Sequence, residues 1–244
     1  MKNRLIFIFC PLLLLCLNLN GQTTDHTNFL NGLVSAYSME NSTTVNDEMG
    51  INNGTVTGTT VVPGNLGNAL NFTGSQASMG TVPTSQSLDL NGSELSFMVD
   101  NYPTANTNTN KIRFRNVING VLRVFISSSA APLNTWSRII CVWKSGEARI
   151  IRINSATDIE GTVYNGTQGV FPDRDITIGS YDIAGPAATR SFTGRIDNIM
   201  IWNRALTTTE QNTLINENLG FSDFNTGGTG TQAPIAPIVS STGQ

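Results

Sequence analysis

Between Phe192 and Leu214 the chain reads FTGRIDNIMIWNRALTTTEQNTL, a strand, its exit turn and a helix start in one run. From Arg195 to Asn203 the residues alternate as in a strand, with Asp197, Ile199 and Ile201 on one side and Ile196, Asn198, Met200 and Trp202 on the other. Leu206 closes the strand. Thr207 is a good N-cap, and Glu210 three residues later can reach back to the cap's backbone N–H, which predicts a capping box and a short terminal helix. The fold should therefore end near Gly220. Asp197 stands at the mouth of an otherwise apolar strand face and must meet a hydrogen-bond donor, a cation or water.

The rest of the chain carries the same two-residue rhythm in short pieces. LVSAYSM, GTVTGTTVV, ALNFTG, ASMGTV and ELSFMVDN read as strands separated by Pro, Gly, Asn and Ser clusters. KIRFRNVINGVLRVFISS predicts a hairpin turning at Asn119–Gly120, and WSRIICVWKS and EARIIRIN pair across Ser145–Gly146. DITIGSY, from Asp175 to Tyr181, adds a further strand. With a single helix at the end, the class is all-β, and residues 31–221 fit one two-sheet antiparallel sandwich.

The ends differ in composition. Lys2 and Arg4 precede an apolar run from Leu5 to Leu17, too short for the roughly 20 residues of a membrane span, so residues 1–21 read as a secretory signal peptide. Residues 22–30 form a leader, and residues 222–244 a Gly/Thr/Pro-rich flexible tail. The expected localisation is secreted, extracellular or cell-surface, with no membrane insertion after cleavage.

Of 14 basic and 17 acidic residues, cleavage removes two basic ones, leaving 12 minus 17, or −5. An acidic, lysine-poor surface argues against nucleic acid as a partner. Cys10 and Cys16 leave with the signal, and Cys141, within RIICVW, reads as a small buried hydrophobe.

Four stretches together resemble one family. LVSAYSMENSTTVNDEMGINNGTVTG resembles the opening strand and Asn-Gly loop of laminin-G-like, concanavalin A-like jelly-roll domains. VPGNLGNALNFTGSQASMGTVPTSQSLDLNGSELSFMVD, NTWSRIICVWKSGEARIIRIN and SFTGRIDNIMIWNRALTTTEQNTL resemble the segments that follow there, in the same order. The resemblance implies a jelly-roll sandwich. Three departures stand out: Ser137–Arg138 where a His is usual, Phe97–Met98 where a Trp is common, and SATDIEG in place of a tight Asn-Gly turn.

The resemblance also implies a structural calcium ion, with carboxylates from Asp47 and Asp197 and further oxygens from Asn52 and Asn53, in keeping with the hard cation's preference for oxygen donors. Without a metal, Asp47 would make an Asx-turn and Asp197 would cap a backbone N–H.

Catalysis finds little support. The only histidine, His26, lies in the leader, which removes His-based triads and metal sites. The acid pairs Asp158/Glu160 and Asp173/Asp175 each lie in or beside a loop. Sugar binding calls for an exposed aromatic face beside polar groups, and Trp202 with Asn198, and Tyr181, are the candidates, with Tyr102 and Tyr164 behind them. Trp136 and Trp143 are expected in the core. The expected function is a non-catalytic, lectin-like module for a polysaccharide or glycan. The alternatives are an adhesion or scaffolding module for a cell-surface protein, and a polysaccharide-cleaving enzyme of the same fold.

Overall fold

The computed structural model describes residues 25–105, 110–169, 175–180 and 191–225. In chain order the strands are β1 (Leu33–Tyr37), β2 (Thr44–Val45), β3 (Gly54–Thr57), β4 (Thr60–Pro63), β5 (Asn68–Thr73), β6 (Met79–Val82), β7 (Glu94–Pro103), β8 (Lys111–Ile118), β9 (Val121–Ala130), β10 (Ser137–Lys144), β11 (Ala148–Ile153), β12 (Ala156–Val163), β13 (Ile176–Ile178) and β14 (Thr193–Trp202). Helix α1 (Thr208–Asn216) follows.

The main sheet runs β12-β11-β10-β7-β14-β5-β4, with β1 also pairing to β14; facing it lie the β13-β6-β3-β2 sheet and the β8–β9 hairpin. Every paired register is antiparallel. The fold is the all-β jelly-roll sandwich expected.

Alternation along the strands assigns the cores. The inner face of the main sheet buries Leu70, Phe72 and Ile196 against Val45, Val56, Val82 and Ile178 of the smaller sheet. Further along it, Ile139, Cys141, Trp143 and Ile151 pack against Phe114 and Ile118 of the hairpin. The outer face buries Met98, Ile140, Met200 and Trp202 beneath Leu206 and Leu214, which flank and belong to α1. Cys141 is the buried hydrophobe expected, its thiol pushed up to about 12 by burial.

Local chemistry explains the connections. Asn119 (φ 49°) and Gly120 (φ 75°) supply the two positive-φ positions of a tight hairpin turn that brings Ile118 opposite Val121. The unusual SATDIEG segment still turns tightly: Ile153 pairs with Ala156, and Asn154 (φ 53°) takes the left-handed position. At α1 the capping box forms as read, with Glu210 N–H donating to Thr207 Oγ1 at 3.2 Å and Thr207 N–H to Glu210 Oε2 at 2.7 Å.

Two findings differ from the expectation. Phe29, in the leader, and Phe224, in the tail, are both buried and stack at 4.9 Å between ring centroids, so the packed unit extends past residues 31–221 at both ends. His26 is likewise buried, 3.1 Å from Glu217. Second, β14 does not alternate throughout. Asp197 pairs with Asp100 and Met200 with Met98, three steps on β14 against two on β7, so a β-bulge sits between them, with Asn198 at φ 45°. The bulge sends Asp197, Met200 and Trp202 to the same outer face.

Candidate functional site

The expected calcium ligands fall into two separate places. In the loop after β1, the Asp47 carboxylate accepts N–H groups from Ala36 (3.0 Å), Met49 (3.2 Å), Ile51 (3.3 Å) and Asn52 (2.9 Å), and the Ser35 hydroxyl at 3.4 Å. Asn53 Oδ1 accepts Asp47 N–H at 2.8 Å. The Asn52 amide donates to Ser35 and accepts from Ser85 and Ser87. A cation here would meet the positive ends of N–H dipoles already aimed at the carboxylate.

Asp197 lies elsewhere, on the outer face of β14. Its Oδ2 accepts Asn65 and Leu66 N–H, both at 2.9 Å, and its Oδ1 is buried without a partner. Only a glycine at position 64 lets the turn come this close, since a Cβ there would stand 2.6 Å from Asp197 Oδ2. Burial, then the charge of Asp100, pushes the Asp197 carboxyl up to about 7. Asp100 itself is held by Arg138 through Nε (2.8 Å) and Nη2 (2.7 Å), and by the side-chain amides of Asn65 (2.9 Å) and Asn198 (3.3 Å).

Asp47 and Asp197 share no hydrogen-bond partner, and among the described residues no group of three or more His, Cys, Asp or Glu side chains could hold a metal. Asp47, with Asn52 and Asn53, and Asp197 thus belong to different hydrogen-bonded turns. Both acids accept backbone N–H groups, and Asp197 Oδ1 is left without a partner among the described residues.

The aromatic candidates also move. Trp202 is fully buried, its Nε1–H donating to Phe29 O at 2.8 Å, and Asn198 is buried on Asp100, so neither faces a ligand. Tyr181 lies outside the described residues. Tyr164 is half-buried between Arg123 and Arg149, whose guanidinium carbons lie 4.6 and 5.3 Å from its ring centroid. Trp143 is in the core as expected, whereas Trp136 is half-buried beside Tyr102, centroids 5.5 Å apart.

The sequence reading did not find the cleft on the inner face. It is an open depression of about 420 Å³ between β13 and β8, floored by Val99, Asn101, Ile139 and Ile196, with Thr177, Ser180 and Phe192 at its side. Asn101 Oδ1 is buried there with no hydrogen-bond partner among the described residues. Such an orphan carbonyl is costly unless a ligand or water completes it. The sequence signal was faint: Asn101 is a polar residue at an inward position of a strand whose inward neighbours are Phe97 and Val99.

Of the acid pairs, Asp158 is bound to Ser128 and Ser129, Glu160 is gripped by Arg149 through Nε (2.5 Å) and Nη2 (2.6 Å), and Asp175 accepts Thr84 N–H at 3.0 Å. Asp173 lies outside the described residues. No helix among the described residues is long and apolar enough to cross a membrane.

Solved structures with this fold include the binding domain of Paraclostridial Mosquitocidal Protein 1 (TM-score 0.58, 18% identity, 77% of this chain and 52% of that one). Domain 4 of AbnA, an extracellular arabinanase of Geobacillus stearothermophilus, in complex with arabinotriose, gives TM-score 0.56 at 18% identity, over 75% of this chain and 98% of that one. Trypanosoma rangeli sialidase in complex with sialic acid gives 0.56 at 11% identity, over 78% of this chain and 34% of that one. The chain thus spans about half of the first and a third of the last, and at these identities the likeness is one of fold. A search of curated protein sequences finds no match. A family model matches residues 81–210, more than half of the chain, and by it the protein belongs to the concanavalin A-like lectin/glucanases superfamily, as a Laminin_G_3 member.

Proposed function

We propose that the protein is a non-catalytic carbohydrate-binding module that seats a glycan in the inner-face cleft. The observation that carries this reading is the orphan Asn101 Oδ1 over an apolar floor. A pyranose offers an apolar C–H face to Ile139, Ile196 and Phe192, and its hydroxyls offer a donor to Asn101 and partners to Thr177 and Ser180. The cleft's volume lies in the range of small-ligand sites, roughly 300–1,000 Å³. Arabinotriose on the AbnA domain is consistent with a short, neutral glycan as the ligand class. The absence of cleavage is part of the proposal: Asp158, Glu160 and Asp175 are each engaged in hydrogen bonds away from the cleft lining.

A second reading, protein adhesion, is favoured by exposed Val121, Leu122, Val124 and Ile126 on β9 and Ile159 and Val163 on β12. The test is binding of the purified chain to neutral arabinan, xylan, glucan and mannan, with Asn101→Leu as the variant. Loss of at least tenfold in affinity for Asn101→Leu, at an unchanged unfolding midpoint, supports the cleft. Equal affinity, or no binding to any of the four, overturns it and leaves adhesion as the better reading; sugar released during the assay would overturn the non-catalytic half.

A further inference from the structure

We propose that the outer face of the main sheet carries a second site, for an acidic glycan, built from Arg195, Tyr102 and Trp136. Arg195 pairs with Tyr102 across β14 and β7, and with Asn71 across β14 and β5. Trp136 continues the row, since its chain neighbour Ser137 pairs with Asn101, the neighbour of Tyr102. The result is a transverse line of half-buried Asn71, Arg195, Tyr102 and Trp136 on the face opposite the Asn101 cleft.

The guanidinium carbon of Arg195 lies 4.7 Å from the Tyr102 ring centroid, and the Trp136 ring is tilted 60° to Tyr102 at 5.5 Å. Stacking uses the flat face of a guanidinium and leaves its in-plane N–H groups directed outward. Among the described residues Arg195 makes no ion pair, whereas Arg138, Arg149 and Arg204 each grip a carboxylate. The carboxylates nearest along the sheet do not serve it: Asp100 is held by Arg138, and Asp197 is turned onto Asn65 and Leu66. An unpaired fork of donors beside two tilted aromatic rings matches a pyranose that carries an anion, the sugar's C–H face lying on the rings and its anion in the fork. The anion is a uronate carboxylate or a sulfate ester, which share this chemistry.

Because the two sites lie on opposite faces of one sheet, failure of the outer site and failure of the cleft are separable. The experiment titrates the purified chain with polygalacturonate, dextran sulfate and neutral dextran, using Arg195→Gln, Trp136→Ala and Asn101→Leu variants whose folding is checked by circular dichroism. Binding of at least one polyanion at 50 mM NaCl is expected, weakened at least tenfold at 0.5 M NaCl. Arg195→Gln and Trp136→Ala are each expected to cost at least tenfold, and Asn101→Leu less than twofold; the tighter polymer then names the anion. No binding to either polyanion, dextran binding as well as they do, or unchanged affinity in either Arg195→Gln or Trp136→Ala overturns the proposal. Should Trp136→Ala fail to fold, Trp136→Phe, which keeps a ring, is expected to retain binding within about threefold while Arg195→Gln does not.

Discussion

Asp197 lies directly across from Asp100 on neighbouring strands, both buried on the outer face, and the Arg138 guanidinium beside them is engaged on Asp100. The pair is therefore unequal. Asp100 has an arginine fork and two amides, whereas Asp197 has two backbone N–H groups on one oxygen and nothing on the other. Arg138 also donates to Leu214 O, tying the sheet to α1.

That asymmetry sets a pH dependence. Burial pushes the Asp197 carboxyl up to about 7, against about 3.9 in an unfolded chain. The folded protein then binds more protons than the unfolded one between those values, so this group's contribution is fully present below about pH 4 and is lost as pH rises through 7. Asp197→Asn keeps the oxygen that accepts from Asn65 and Leu66 and replaces the ionisable one with a donor. Thermal melts at pH 5 and pH 8 should show wild type losing more stability than Asp197→Asn across that interval. A larger loss in the variant would contradict the assignment.

Asp47 differs in its bonding, since both of its carboxylate oxygens accept hydrogen bonds. Removing it strands the N–H group of Ala36 in β1 and those of Ile51 and Asn52 in the loop packed against it. Asp47→Ala should cost about 3 kcal/mol, as expected for losing charge-assisted hydrogen bonds and leaving buried donors unpaired. Because the donors are protein N–H groups, the wild-type urea midpoint should be the same in millimolar calcium and in excess chelator. A midpoint that drops on chelation would restore a metal to this loop.

What the sequence made legible follows from how local each signal is. The Asn119–Gly120 turn and the Thr207–Glu210 capping box are written within a few residues, and each forms as read; the strand rhythm holds except at the β14 bulge and in GTVTGTTVV, which divides into β3 and β4 of different sheets. The site was less legible because it depends on pairing between distant strands. Nothing near Asn101 in the chain announces that no partner meets its carbonyl, and Tyr102, Trp136 and Arg195 become one row only when β7, β10 and β14 are aligned. The family resemblance singled out Asp47 and Asp197 together, but it could not reveal that they accept hydrogen bonds from different backbone turns.

The bulge at Asn198 accounts for the largest displacement, that of Trp202 from candidate ligand to core. A strict two-residue period groups Trp202 with Asn198 and separates it from Asp197; one extra residue reverses every position beyond it. The local clue was Asn198 itself, since asparagine tolerates positive φ better than any β-branched residue. Asn198→Val should therefore cost roughly 2 kcal/mol, from backbone strain and the lost amide bond to Asp100, while Asn198→Gly costs less. Trp202→Phe forfeits the indole bond to Phe29 O and part of a filled volume, again roughly 2 kcal/mol. Urea unfolding reads both costs. Glycan affinity measured on the same samples should stay within twofold for both Trp202→Phe and Asn198→Gly, because both side chains are buried and line neither proposed site; a tenfold loss in Trp202→Phe at unchanged stability would return the indole to the site.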